Sequence, residues 1–165
     1  MRSIKNEKNL HGKKILLRLD LNVPLDKGKI SDTTRIDKII PTLKFLNKQK
    51  AKIIILSHVG RPKGKVIKEL SLKPICENLN DQLGSNVKLI TQNINEIKNK
   101  DFFDNFDEGI IMLENIRFYP EEEKNDNKFA KHLASLGDLY VNDAFSCSHR
   151  SHASIVEISK FLPSF

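Results

Sequence analysis

Ile53-Ile-Ile-Leu56, running directly into Ser57-His-Val-Gly60-Arg61-Pro-Lys-Gly64, joins four apolar residues to a cation-bearing turn. A continuous apolar run of this length, bounded by glycine and proline, reads as a strand buried on both faces, as in a parallel sheet. The plan recurs three times. Ile15-Leu-Leu-Arg-Leu-Asp20 leads to Asn22, Ile110-Ile-Met-Leu113 to Glu114, Asn115 and Arg117, and Leu139-Tyr-Val141 to Asn142, Asp143, His149 and Arg150. In open α/β sheets the ligand sits beyond the carboxyl ends of the strands, so these polar residues are expected to converge.

Helical spacing fills the intervals. Ser31 or Asp32 can cap a helix striped by Ile36, Ile39, Ile40, Leu43 and Leu46, with Pro41 predicted to kink or break it. Ser71 can cap a second, striped by Leu72, Ile75, Cys76, Leu79 and Leu83, with Gly84 as a left-handed stop. Val87-Lys-Leu-Ile90 reads as another strand, and a third helix spans about Asp126 to Leu136, burying Phe129, Ala130, Leu133 and Leu136 before Gly137. Residues 91–108 are the least regular, with a helical turn at Ile94-Asn-Glu-Ile97 and Phe102, Phe103 and Phe106 expected over a sheet edge. The alternation predicts an α/β domain: a doubly wound, mainly parallel sheet with helices on both faces, a Rossmann-like three-layer arrangement.

The chain has 165 residues, enough for one domain, with 39% hydrophobic and 30% charged residues, the balance of a soluble globular protein. Two cysteines cannot form a disulfide framework, and neither a secretory leader nor an apolar run long enough for a bilayer is present, so a cytoplasmic protein without a membrane partner is expected. The net charge of +7 would suit nucleic acid, a membrane surface or an acidic metabolite. Scattered lysines, no dense basic block, no tryptophan and only Tyr119 and Tyr140 argue against a nucleic-acid partner.

Arginine is used sparingly and in chosen places. Of 28 basic side chains only Arg2, Arg18, Arg35, Arg61, Arg117 and Arg150 are arginines, and three of these follow strand ends. The guanidinium fork pairs bidentately with carboxylate or phosphate, which makes a small phosphorylated acid the leading ligand class. Asp20 and Asn22 are expected to point the same way by strand alternation, with an Asx turn as the alternative. The glycines and proline of the 57–64 turn are expected to present His58 and Arg61 together. Asn115 and Arg117 should share a face, and Glu114 is read as structural, paired with a basic neighbour. Arg35 lies in a helical first turn, where the macrodipole disfavours a cation; cooperation with an anion held there, or simple solvation, would account for it. A zinc site of Cys147, His149 and His152 lacks paired cysteine spacing, and neither the P-loop nor the dinucleotide glycine pattern occurs.

Arg18-Leu-Asp-Leu-Asn-Val-Pro24, Ser57-His-Val-Gly-Arg-Pro-Lys-Gly64, Leu113-Glu-Asn-Ile-Arg-Phe118, and Tyr140-Val-Asn-Asp-Ala-Phe145 with His149-Arg-Ser-His-Ala-Ser154, in that order, resemble the amino-terminal domain of phosphoglycerate kinases. The resemblance runs from about Lys14 to the carboxyl end. It implies reversible phosphoryl transfer, 1,3-bisphosphoglycerate and ADP giving 3-phosphoglycerate and ATP, with residues 1–165 as the substrate-binding domain. It also implies that Asp20, Asn22, Arg35, His58, Arg61, Arg117 and Arg150 bind the triose substrate and that Arg35 stabilises the transferring phosphoryl group. Mg2+ and ATP or ADP would be bound by a second, nucleotide-binding domain absent from this chain, so that the fragment alone would be inactive and monomeric. Ser146, Cys147, Ser148 and Ser151 depart from residues common in the family. The rival expectation is a non-catalytic anion-binding module or a basic nucleic-acid-binding fragment.

Overall fold

Lys14–Leu19 (β1) is buried at all six positions, as a strand covered on both faces must be. In the computed structural model, which describes residues 2–165, the chain continues through a small antiparallel hairpin of Leu25–Asp26 (β2) and Lys29–Ile30 (β3). Then come Thr34–Lys48 (α1), Lys52–Leu56 (β4), Lys73–Leu83 (α2), Val87–Ile90 (β5), Ile110–Leu113 (β6), Pro120–Glu123 (α3), Asn127–Ala134 (α4) and Leu139–Asp143 (β7). Five strands form one sheet in the order β5-β6-β4-β1-β7, every neighbouring pair parallel. The four strands with polar exits are therefore contiguous, and β5 stands at the edge.

Alternation along β1 divides the core in two. Ile15, Leu17 and Leu19 pack with Ile36 and Leu43 of α1 and with Ile75 and Leu79 of α2, whereas Leu16 packs with Phe129 and Leu133 of α4 on the opposite face. Each such side chain removed from water contributes about 1.5–3 kcal/mol, so both faces are strongly held. The helices after β1 and β4 lie on one face and the helix after β6 on the other, which leaves a crevice over the strand ends where the loops diverge.

Local chemistry explains the boundaries. Asp32 Oδ1 accepts from the Thr34 amide at 2.8 Å, and Asp126 Oδ1 from Phe129 at 2.8 Å at the start of α4. Gly84 ends α2 at φ 58°, the left-handed geometry that disfavours a Cβ. Pro41 neither breaks nor ends α1, which runs through it. Its ring lies on the exposed side, where water can satisfy the carbonyl it leaves unpaired. The 91–108 segment folds as short 3-10 turns, and Phe103 enters the core on the α4 face rather than over an edge. Cys76 is core, its Sγ donating to the Val87 carbonyl at 3.3 Å, and burial pushes its thiol up to about 11.

Candidate functional site

At the end of β1 the backbone turns at once. Asp20 Oδ1 accepts from the Asn22 amide at 3.3 Å, so the Asx turn is present and strand alternation does not govern the pair. The same oxygen accepts from Arg35 Nη1 at 2.9 Å, and Oδ2 accepts from the Ser146 hydroxyl. Arg35, half-exposed on the first turn of α1, thus finds its anion in Asp20. Asn22 Oδ1 accepts from the Gly60 amide at 2.9 Å, which leaves the Asn22 NH2 to donate elsewhere and ties the β1 exit to the β4 exit.

The β4 exit needs its glycines. Gly60 and Gly64 have φ of 66° and 75°, and a Cβ on Gly64 would meet Pro120 at 2.8 Å. That approach lets the Gly64 amide donate to the Arg117 carbonyl at 3.1 Å, clamping this turn to the β6 exit. His58 and Arg61 are not presented alike: His58 is buried and Arg61 exposed.

The β6 exit is also rearranged relative to strand alternation. The strand stops at Leu113 and Ile116–Phe118 forms a 3-10 turn. Asn115 is spent inside the protein: its NH2 donates to the Val59 and Leu70 carbonyls, each at 2.9 Å, and its Oδ1 accepts from the Arg117 amide at 3.0 Å. Glu114 is structural, but its partners are neutral donors, the Ser71 hydroxyl and the Leu72 amide at 2.7 Å. Arg117 itself is buried. Its Nε has no hydrogen bond, and its nearest carboxylate, Glu123, stands at 3.7 Å. Burial, with Arg18 and Arg150 nearby, holds the Arg117 pKa below its ordinary value despite the opposing Glu123 charge.

Two groups that sequence reasoning left out of the site complete it. Arg18, fully buried within β1, donates from Nη2 to His58 Nδ1 at 3.0 Å and from Nε to Ser154 Oγ at 2.9 Å. Glu122, equally buried, accepts from the Ser154 amide at 2.9 Å and from its hydroxyl. The available signal was Arg18 itself, an arginine in a wholly apolar run, a position that demands partners. Burial, then the charges of Arg18 and Arg117, lowers the His58 pKa to about 2, so the ring is neutral. His152 is displaced downward for the same reasons, burial first and Arg117 next, and its buried Nδ1 has no partner. Arg61 and Arg150 are exposed and form no ion pair among the described residues.

Chemically the strand ends form a rim of cations and neutral donors around two nitrogens without hydrogen bonds, Arg117 Nε and His152 Nδ1, with Asp20 paired to Arg35 and Glu123 3.7 Å from Arg117. Buried polar atoms without partners are rare in folded proteins. An anion with several oxygens could accept from Arg117 Nε and from Arg150, which lies close enough to Arg117, His58 and His152 to act on all three. Among the described residues no group of three or more His, Cys, Asp or Glu is placed to hold a metal ion.

Comparison with known proteins covers nearly the whole chain. Residues 5–165 match the family model described as phosphoglycerate kinase. A phosphoglycerate kinase of Wolbachia pipientis subsp. Culex pipiens is 52% identical over 158 residues, covering 95% of this chain and 39% of the relative. The cytosolic phosphoglycerate kinase of Triticum aestivum is 52% identical over 157 residues, covering 94% and 39%. The solved structure of phosphoglycerate kinase from Coxiella burnetii superposes with a TM-score of 0.86 at 37% identity, over 98% of this chain and 39% of that one. The chain spans about two fifths of the length of these relatives.

Proposed function

Since the chain belongs to the phosphoglycerate kinase family, we propose that it forms the part of that enzyme's site which holds 3-phosphoglycerate or 1,3-bisphosphoglycerate. Arg117 carries this reading: a buried guanidinium close to Arg18, His58 and His152, whose Nε makes no hydrogen bond and reaches its one carboxylate, Glu123, only at 3.7 Å. A substrate phosphate or carboxylate supplies the missing charge and acceptors.

In this proposal Arg61, Arg117 and Arg150 grip the substrate anion, His58 and Asn22 donate neutral hydrogen bonds, and Asp20 positions Arg35. Arg35 releases Asp20, or shares it, to stabilise the phosphoryl group in transit. The acceptor carboxylate is already a nucleophile, so no general base is required and catalysis reduces to positioning and charge stabilisation. Mg2+ and the nucleotide would be bound by a second domain outside this chain, whose chemistry supplies the phosphoryl donor. A cytoplasmic, monomeric protein is part of this proposal; the Triticum aestivum relative is described as cytosolic, and no described helix is long and apolar enough to cross a membrane.

Calorimetric titration with 3-phosphoglycerate tests this directly. Binding should weaken at least about tenfold in Arg61→Ala and Arg150→Ala, and the chain alone should make no ATP in a coupled assay. A folded chain that binds no 3-phosphoglycerate overturns the reading.

A further inference from the structure

A guanidinium donates and cannot accept. That single fact orients a chain of buried groups running through the middle of the sheet. Arg18 Nη1 donates to the Leu19 carbonyl at 2.6 Å, Nε to Ser154 Oγ at 2.9 Å, and Nη2 contacts His58 Nδ1 at 3.0 Å. Ser154 Oγ therefore accepts from Arg18 and passes its own hydrogen to Glu122 Oε1. The Ser154 amide donates to Glu122 Oε2 at 2.9 Å and the Ala153 amide to the Glu122 carbonyl at 2.9 Å. At the other end His58 Nδ1 must be the acceptor, so its ring hydrogen sits on Nε2, which has no hydrogen bond with the described residues.

We infer that Arg18 is a positioning residue, anchored by Ser154 and Glu122, whose work is to fix His58 as the neutral tautomer with Nε2–H as the free donor to a substrate oxygen. The assignment rests on the substrate-binding reading of His58. It gives a reason for a full charge in an otherwise apolar strand: Arg18 spans β1 and couples the β4 exit, which bears His58, to the 149–154 segment, which bears Arg150 and His152. Hydrophobic replacement of a buried ionic group is often tolerated for stability, so retention of the charge here points to geometry. Burial, Arg18 and Arg117 keep the ring unprotonated, and the donor is then present across the physiological range.

The tautomer can be read without ligand. In long-range 1H–15N spectra of the 165-residue chain, His58 Nδ1 should resonate as an unprotonated nitrogen and Nε2 as a protonated one, unchanged from about pH 5 to about pH 8. Arg18→Met should convert this to a mixture of tautomers. A protonated Nδ1 in the unaltered chain, or an unaltered tautomer in folded Arg18→Met, overturns the assignment. Should Arg18→Met fail to fold, two variants of His58 decide. Glutamine places its NH2 near the Nε2 position and asparagine near Nδ1, so His58→Gln should keep 3-phosphoglycerate affinity within about threefold while His58→Asn loses about tenfold or more. The reverse ranking overturns it. If the unaltered chain binds no 3-phosphoglycerate, the substrate reading fails while the ligand-free tautomer remains measured.

Discussion

The two ends of the same sheet treat charge in opposite ways. At the amino end, Lys14 pairs with Asp104 at 2.9 Å, Lys100 with Asp138, and Lys52 donates to the Phe106 carbonyl. At the carboxyl end, Arg61 and Arg150 have no acidic partner among the described residues, and Arg117 Nε has one only at 3.7 Å, too far for a hydrogen bond. The lysines of the amino end are neutralised by the protein itself, whereas at the carboxyl end Arg35 is paired with Asp20 but Arg61 and Arg150 leave their charge for something else. A sheet that only needed to fold would gain nothing from the second arrangement, because clustered like charges destabilise each other. The difference separates structural from functional charge within one domain.

The sharpest way to break that contrast is to remove a charge that belongs to both categories. Glu122 is buried and compensates Arg18 through Ser154. Glu122→Leu strands the Arg18 guanidinium in the core, and breaking a buried charged network by removing one partner costs ~3–5 kcal/mol. Denaturant melts should show a loss of that order, larger than for any change at the rim or at the amino end of the sheet. A loss below about 1 kcal/mol would mean that Arg18 is compensated by its carbonyl and histidine contacts alone.

Next in size are the rim arginines, where affinity and stability should separate. Arg61→Ala and Arg150→Ala remove charge-assisted bonds worth ~1.5–3 kcal/mol to a bound anion. Because both side chains are exposed and unpaired, the same variants should melt within about 0.5 kcal/mol of the unaltered chain. Equal losses in both measurements would erase the distinction between the sheet's two ends.

Acid supplies a third test. His58 is neutral in the folded chain with its pKa depressed to about 2, against an ordinary 6.5. The unfolded chain therefore binds the extra proton between those values, and stability falls as pH drops through that window, by ~1.4 kcal/mol per pH unit per such group. His152 acts in the same direction. Glu122 acts in the opposite one, since burial raises its pKa against the pull of Arg18, so the share that belongs to His58 is the part of the pH dependence that its replacement removes. Melts of the unaltered chain and of His58→Gln from about pH 7.5 down to about pH 5 should differ by that share. No difference would place a protonated His58 in the fold.

The contrast also marks what the sequence could and could not disclose. The apolar runs at 15–19, 53–56, 110–113 and 139–141 became four adjacent strands because a double-sided core accepts no polar alternation, and that pattern is local. Pro41 and the 91–108 segment were harder, since what decides them is which side meets solvent and which face remains uncovered, both tertiary facts. That Arg61 and Arg150 follow strand ends was legible from sparing arginine use, and both stand exposed there. The roles of Asn115, Arg18 and Glu122 were not: Asn115 closes onto carbonyls at positions 59 and 70, and Arg18 meets Ser154 across 136 residues. Side chains that work by reaching distant backbone leave little trace in neighbouring residues.

The smallest effect should come from the amino end, and it completes the comparison. Lys100 pairs with Asp138 in a partly exposed contact. Although burial opposes it, the Lys100 ammonium and the Lys14 amide together hold the Asp138 carboxyl below its usual range. Screened by water, such a pair is worth only ~0–1 kcal/mol. Lys100→Ala should therefore cost less than about 1 kcal/mol in denaturant melts. Asp138 keeps its bond from the Lys14 amide at 2.9 Å, so the start of β1 stays tied to the start of β7. Affinity for 3-phosphoglycerate should not change beyond about twofold, because added salt and distance screen a charge at the far end of the sheet. A tenfold loss in Lys100→Ala would show that the whole molecule's positive field gathers the anion, and the strand-end arginines would then be one part of a general attraction rather than a built site.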